Sequence, residues 1–210
     1  MLASREATCS KAAVDVRAQR IVDTAIELAE KGGFEAVRLR DVAAEAGVAL
    51  GTLYRHFRSK EDLLVAALTS EVERLESIIQ ARPTQGATAG ERVAEFFRTA
   101  TRGLMRRPRL SRAILRAAAS GNHELAGKIA AFHNRVTDVI LTAMHSSHGT
   151  KGTVEAGVTT RADHRTVAVL LQHVWFSCLI AWGGGLMSSG QVIDQMSDAA
   201  AILIPAVPQR

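Results

Sequence analysis

Apolar residues in this chain recur at spacings of three and four almost from end to end, and no segment sustains the two-residue alternation of a half-buried strand. A sheet has nothing to be built from, so the chain must fold as packed helices, an all-α architecture. Its 210 residues are enough for a small domain joined to a larger one. At 47% hydrophobic and 22% charged residues, with four prolines, the composition excludes a disordered or fibrous protein.

The periodicity resolves into nine helices. Ile21, Ala25, Leu28 and Ala29 line one face of a first helix over about Val16–Lys31, which Gly32-Gly33 ends. Leu39, Val42, Ala43 and Ala46 make a shorter second one that closes at Gly47, and a third runs from Leu50 to Phe57 with Leu53 and Phe57 inward. Ser59 and Asp62 have capping-box spacing and open a fourth, carrying Leu64, Leu68, Val72, Leu75 and Ile79. After a pause at Arg82–Gly90, helices follow over Glu91–Arg106, Arg109–Ala119 and Glu124–His145, the first two parted by Pro108. Ser146–Ala162 lacks apolar period and reads as a mobile linker. Asp163 can cap the eighth helix, whose stripe is Val167, Leu170, Leu171, Val174, Trp175, Cys178, Leu179 and Trp182. Gly183-Gly184-Gly185 stops it, and a ninth runs from Ser189 to about Ile204.

Thr166–Ile193 contains no Asp, Glu, Lys or Arg and is long enough to cross a bilayer. Gln172, His173 and the three glycines, together with the lack of aromatic and basic flanks, argue against a membrane span. A helix buried by its own core and by a partner subunit explains the same composition. The start MLASREATCSK has no apolar run of the kind a secretory signal needs and reads as a loose arm. Cys9 and Cys178 give no disulfide framework, so the expected location is a reducing cytoplasm. A net charge of +5 tilts the chain modestly toward an anionic partner.

The segment with chemistry in it is VRLRDVAAEAGVALGTLYRHFRSKEDLL, Val37–Leu64. Two short helices joined by a tight turn need a residue that tolerates a left-handed backbone and an apolar plug, which Gly47 and Val48 supply. The second helix must be short, with small or polar residues at its amino end so that the backbone can enter a major groove; Leu50-Gly51-Thr52 meets that demand. GGFEAVRLRDVAAEAGVALGTLYRHFRSKEDLL, above all GTLYRHF followed by SKEDLL, resembles the amino-terminal domain of the TetR family of bacterial repressors. The resemblance implies a three-helix DNA-binding domain with a helix-turn-helix, a connecting helix, and a carboxy-terminal domain that binds ligand and dimerises. It implies DNA contacts at Arg38, Leu50, Thr52, Tyr54, Arg55, His56 and Lys60. Tyr54 and Lys60 would hold phosphates, Lys60 beside a helix amino end, while Leu50, Thr52 and Arg55 would read bases. Arg38 stands where the family often has a capping Thr or Ser, which suggests a phosphate contact instead. Arg55 and His56 can also be plain solvated side chains. The expected division is a disordered arm at 1–14, the DNA-binding domain at 15–60, the connecting helix at 61–82, and a ligand-binding and dimerisation domain at 83–210.

A second likeness is to the members of this family that govern sterol breakdown in actinobacteria, carried by LMRRPRLSRAILRA at Leu104–Ala117 and VWFSCLIAWGGGL at Val174–Leu186. It implies a small apolar effector, a sterol-derived acyl-coenzyme A. Phe96, Phe97, Leu104, Met105, Phe132, Val136, Trp175 and Phe176 are candidates to line such a pocket, against the plainer reading of each as core. Seven arginines and no acid lie between Arg98 and Arg116. They are either a solvated face or a cradle for the coenzyme A phosphates. The last two helices carry more apolar surface than one small domain buries, so a homodimer through them is expected, on double-stranded operator DNA. An architectural DNA binder without effector is the rival reading. No enzyme is expected, since His145 and His148 lack an acid partner and an oxyanion motif, and neither metal-ligand spacing nor a cofactor signature occurs.

Overall fold

The computed structural model describes residues 2–145 and 161–204. Among them are nine α-helices and no strand: α1 (Leu2–Gly32), α2 (Leu39–Glu45), α3 (Leu50–His56), α4 (Lys60–Ala81), α5 (Ala89–Met105), α6 (Pro108–Ala118), α7 (Ala126–His145), α8 (Arg161–Gly183) and α9 (Ser189–Leu203). Single 3-10 turns stand at Phe34–Ala36 and His123–Leu125. The all-helical reading of the sequence is what the chain adopts.

The helices fall into two compact units, Met1–Ser70 with Arg107–Ala126, and Glu71–Arg106 with Gly127–Arg210. In the first, α1 is the hub, packed by α2, α3 and α6. Ile21, Ala25 and Ala29 of α1, Val42 of α2, Leu53 of α3, Leu63 and Leu64 of α4 and Ile114 of α6 are all essentially removed from solvent. Polar contacts fasten α6 to the end of α1: Arg107 pairs with Glu30, and Arg109 Nη1 donates to the Lys31 carbonyl at 2.5 Å. That carbonyl is among the last of its helix, so a guanidinium satisfies an acceptor that has no intrahelical donor.

The second unit is built on α5, α8 and α9, with α7 completing it. Phe96 and Phe97 are fully buried and lie edge to face at 5.0 Å, and Trp175 of α8 closes the group at 6.4 and 5.5 Å from them. The indole Nε1–H donates to Thr101 Oγ1 at 3.0 Å, so the only polar atom of the cluster's largest ring is satisfied inside the core. Gly90, at the amino end of α5, lets α9 come close: a Cβ there would stand 3.3 Å from the Ile204 carbonyl oxygen. Thr88 and Glu91 form a reciprocal capping box at the start of α5, and Ser188 with Gln191 forms another at α9. Gln172, 2% exposed on α8, is held by Thr137 Oγ1 at 2.6 Å and by His133 of α7. Burial, and secondarily the neighbouring His173, pushes the His133 pKa down, which favours the neutral ring in this network.

Three expectations change, and a fourth falls largely outside the described residues. Residues 2–14, read as a loose arm, continue α1 as helical backbone. Asp163 lies in the first turn of α8 rather than at its cap, because the helix begins at Arg161. The linker expected at Ser146–Ala162 lies outside the described residues as far as Thr160. Leu170, assigned to the inner stripe of α8, is 47% exposed, while Ala168, Leu171 and Gln172 turn inward. That face had been drawn through apolar residues alone, and a hydrogen-bonded glutamine took one of its places. Replacing Phe96 by alanine, which empties a filled core site, should lower stability by about 3–5 kcal/mol, seen as a lower urea midpoint at unchanged m-value.

Candidate nucleic-acid interface

The helix-turn-helix is set by the chain reversal at Gly47. Its φ of 61° places it in the left-handed region, where an L side chain is strained. There the Val48 amide donates to the Ala43 carbonyl at 2.9 Å and the Gly47 amide to Ala44 at 3.1 Å, a Schellman closure that satisfies the last carbonyls of α2. Val48 follows, half-buried, as the plug. The chain then enters α3 through Ala49, which is extended and gives no side-chain cap. On α3, Leu53 is wholly buried and Phe57, just past its end, is 6% exposed. The side chains on the remaining faces are consequently turned out.

These are the residues named from the sequence. Tyr54 is 52% exposed, a large aromatic with no ring partner among the described residues. Arg55 is exposed, and its Nη2 donates to Thr52 Oγ1 at 3.2 Å, which couples the two groups one helical turn apart. Leu50, Thr52 and His56 are half-exposed. A Cβ built on Gly51 meets nothing within 4 Å, so nothing inside the chain requires glycine there. Arg38 is exposed and extended at the start of α2 and makes no side-chain cap, in keeping with its replacing a Thr or Ser. At the start of α4, Ser59 Oγ accepts from the Asp62 amide at 3.1 Å, while the Asp62 carboxylate accepts from the Arg58 amide at 3.0 Å. The capping box read from the sequence is therefore closed one residue early.

Lys60 differs from the rest, because it is engaged by an acid and a ring far from it in sequence. Its Nζ lies 3.4 Å from Glu35 Oε2 and 3.9 Å from the centroid of the Phe34 ring. Arg116 of α6 takes the other oxygen of the same carboxylate at 2.8 Å, its Cζ 4.1 Å from the same ring. Hydrogen bonding from Lys60 and then from Arg116 holds the Glu35 pKa below the usual carboxylate value. Sequence reasoning passed over Phe34, Glu35 and Arg116 as a group. Residues 81 positions apart carry no local signal of their pairing, and only the docking of α6 on the first unit brings them together.

The residues proposed for a ligand separate into two groups in the second unit. Phe97, Val136 and Trp175 are buried core. Phe132 and Phe176, half-buried, both stand edge-on to the His133 ring, at 5.2 and 5.7 Å. Leu104 and Met105 are half-buried near the end of α5. None of the seven lines the cleft of about 480 Å³ that opens between the amino half of α5 and the end of α9, among Gln85, Glu91, Arg98, Ser197 and Ile204. The arginine run also divides. Arg98 pairs with Glu95 in the second unit, where Arg102 and Arg106 are exposed, while Arg107, Arg109 and Arg116 are fastened within the first.

Residues 21–67 match the model for bacterial regulatory proteins of the tetR family, and residues 86–203 match that for the tetracyclin repressor-like C-terminal domain. The HTH-type transcriptional repressor KstR of Mycolicibacterium smegmatis is 32% identical over 188 residues, 90% of this chain and 87% of KstR. A TetR transcriptional regulator from Rhodococcus sp. RHA1 has the same fold, with a TM-score of 0.76 and 28% identity over 91% of this chain and 96% of its own. Bacillus subtilis FadR, crystallised in complex with stearoyl-CoA, is alike in fold alone, at a TM-score of 0.54 and 20% identity over 90% of this chain and 99% of FadR.

The open space at Gly51 yields a test on the protein without any ligand. Gly51→Ala should stabilise α3 by about 0.5–1 kcal/mol, because alanine loses less backbone entropy in a helix. A higher melting temperature is the expected result, and a lower one would show that the fold itself needs the glycine.

Proposed function

The chain belongs to the tetR family of bacterial regulatory proteins, a DNA-binding transcriptional regulator, and from that premise we propose that it is a cytoplasmic repressor that holds a palindromic operator as a homodimer. The observation that carries the reading is α3: Leu53 and Phe57 lock one side of the helix, and Thr52, Tyr54 and Arg55 are turned out on the others. In this reading Arg55 and Thr52 read base edges with Leu50 adding apolar contact, and Arg38, Tyr54, His56 and Lys60 hold the backbone. Gly51 keeps the wall of the helix low where the groove comes nearest. Two copies associate through α8 and α9, whose outward faces leave Leu170, Ile180 and Ile202 exposed at 47, 39 and 77%.

The effector in this proposal is a bulky apolar acyl-coenzyme A, sterol-derived by the likeness of Leu104–Ala117 and Val174–Leu186. The stearoyl-CoA bound by FadR is the same chemical class in a protein of the same fold. The acyl part would enter near Phe132 and Phe176, which are half-open, and require Phe97 and Trp175 to part. Arg102 near the end of α5 and Arg106 just past it, both exposed, are the cations available to its phosphates. One observation favours a second reading, a DNA binder with no effector: the Phe96–Phe97–Trp175 cluster is closed, its indole hydrogen-bonded.

Selection of bound duplexes by the purified protein should return a pseudo-palindrome. Against it, Arg55→Ala costs about 1–3 kcal/mol and relaxes sequence choice, whereas Lys60→Ala weakens all duplexes alike and lowers the salt slope by about one. Gly51→Ala binds less tightly although its fold is more stable. Equal affinity of the unaltered protein for selected and random duplex refutes the reading. Titrating the complex with acyl-CoA thioesters, free acids and sterols then separates the effector readings: release by thioesters, blunted in Arg102→Ala/Arg106→Ala, supports the first, and release by none supports the second.

A further inference from the structure

We propose that Glu35 and Arg116 are positioning residues for DNA binding that act through Lys60: Glu35 competes with a DNA phosphate for the Lys60 ammonium, and Arg116 weakens that competition by occupying the other oxygen of the carboxylate. The proposal rests on the reading of Lys60 as a phosphate ligand.

The geometry is that of one anion shared by two cations over one ring. Arg116 is the closer partner, at 2.8 Å, and Lys60 the looser, at 3.4 Å. A guanidinium makes the shorter, directional contact, and the compact ammonium is left with a stretched one. The Lys60 side chain is 29% exposed and that of Glu35 70%, so both can be reached from solvent, and the pair is of the weak surface kind. A phosphate can therefore take Lys60 over. What the carboxylate then does depends on its own neutralisation, since a bare Glu35 beside that phosphate lies well within a Debye length and repels it. With Arg116 in place the carboxylate stays paired after Lys60 has left. The Phe34 ring keeps both cations near one spot whichever anion they hold. Glu35 sits in the 3-10 turn at Phe34–Ala36, and Arg116 on α6 in the same compact unit, so the local setting of α6 is read out at the first turn of α4.

Each sign follows. Removing the Glu35 charge frees Lys60 and removes the repulsion, so binding tightens. Removing Arg116 leaves Glu35 to Lys60 alone, so binding weakens. Both effects should be sequence-independent and of surface-pair size, about two- to fivefold in Kd.

The test is a set of variants of the full chain, E35Q, R116A, K60A, E35Q/R116A and E35Q/K60A, measured on selected and random duplexes at several salt concentrations. E35Q is expected to tighten both duplexes, R116A to weaken both, the R116A effect to shrink in the E35Q background, and the E35Q effect to shrink in the K60A background, where only the repulsion remains to be relieved. A merely structural role would not give the last two results. If K60A weakens DNA while E35Q does not tighten it, or E35Q tightens it equally with and without Lys60, the competition is refuted and the phosphate role of Lys60 stands. If K60A changes nothing, the phosphate role falls, and this proposal falls with it.

Discussion

The rest of the DNA-binding unit depends on the burial of Leu53 and Phe57. A seven-residue helix such as α3 is too short to persist in water by its own hydrogen bonds. It has no side-chain cap at Ala49 and a glycine in its first turn, so local propensity works against it. What holds it is the apolar seat made by α1 and α2, with Ile21, Ala25, Val42 and Ala43 shut away from water. The hydrophobic effect thus fixes the orientation of every polar side chain on the opposite faces, although none of them contributes to the packing. This is how an element with little stability of its own is held in place. Side chains for recognition can vary as long as two positions, and the Gly47 reversal, stay as they are.

The helix-turn-helix was the most legible part of the chain because everything that defines it is local. Gly47, Val48, Leu53 and Phe57 lie within eleven residues, and each has a single steric or apolar requirement. Helix ends were legible where a cap or glycine marks them, as at Gly32 and at Gly183-Gly184-Gly185. They are less sharp where a reciprocal side-chain pair makes the cap ahead of the apolar periodicity, as at Thr88 and Glu91. Residues 2–14 escaped for a different reason, having too few periodic apolar residues to declare the helix that their backbone forms.

The boundaries drawn along the sequence at 83–210 also contrast with the packing in space. Helix α6 shows one clear apolar face in Leu110, Ile114 and Ala117, and periodicity cannot say against which helix that face is buried. Its neighbours turn out to be α1 and the Phe34–Ala36 turn. The seven arginines that looked like one basic cluster are consequently divided between the two compact units, and Arg98 pairs in one while Arg107, Arg109 and Arg116 pair in the other. Charge runs read along a chain misjudge surfaces for this reason: a side chain's partner is decided by the fold, and here an acid 81 residues away neutralises Arg116.

The closed aromatic core of the second unit limits how any effector could work. Phe96, Phe97 and Trp175 are packed together and buried, and separating them exposes apolar surface and breaks the buried indole–Thr101 hydrogen bond. A ligand that opens this core must return that cost from its own buried surface, so small polar metabolites are poor candidates and large apolar ones are good. The half-open Phe132–His133–Phe176 edge is the cheaper place to begin, since its rings already meet solvent. There the Gln172 side chain ties α7 to α8 through Thr137 and His133, and no apolar ligand can replace those hydrogen bonds. In the acyl-coenzyme A proposal, the acyl chain would pass beside this polar network rather than through it. A ligand that bound the closed and opened arrangements equally would shift nothing, so in that proposal the difference in affinity would come from surface exposed only in the opened one.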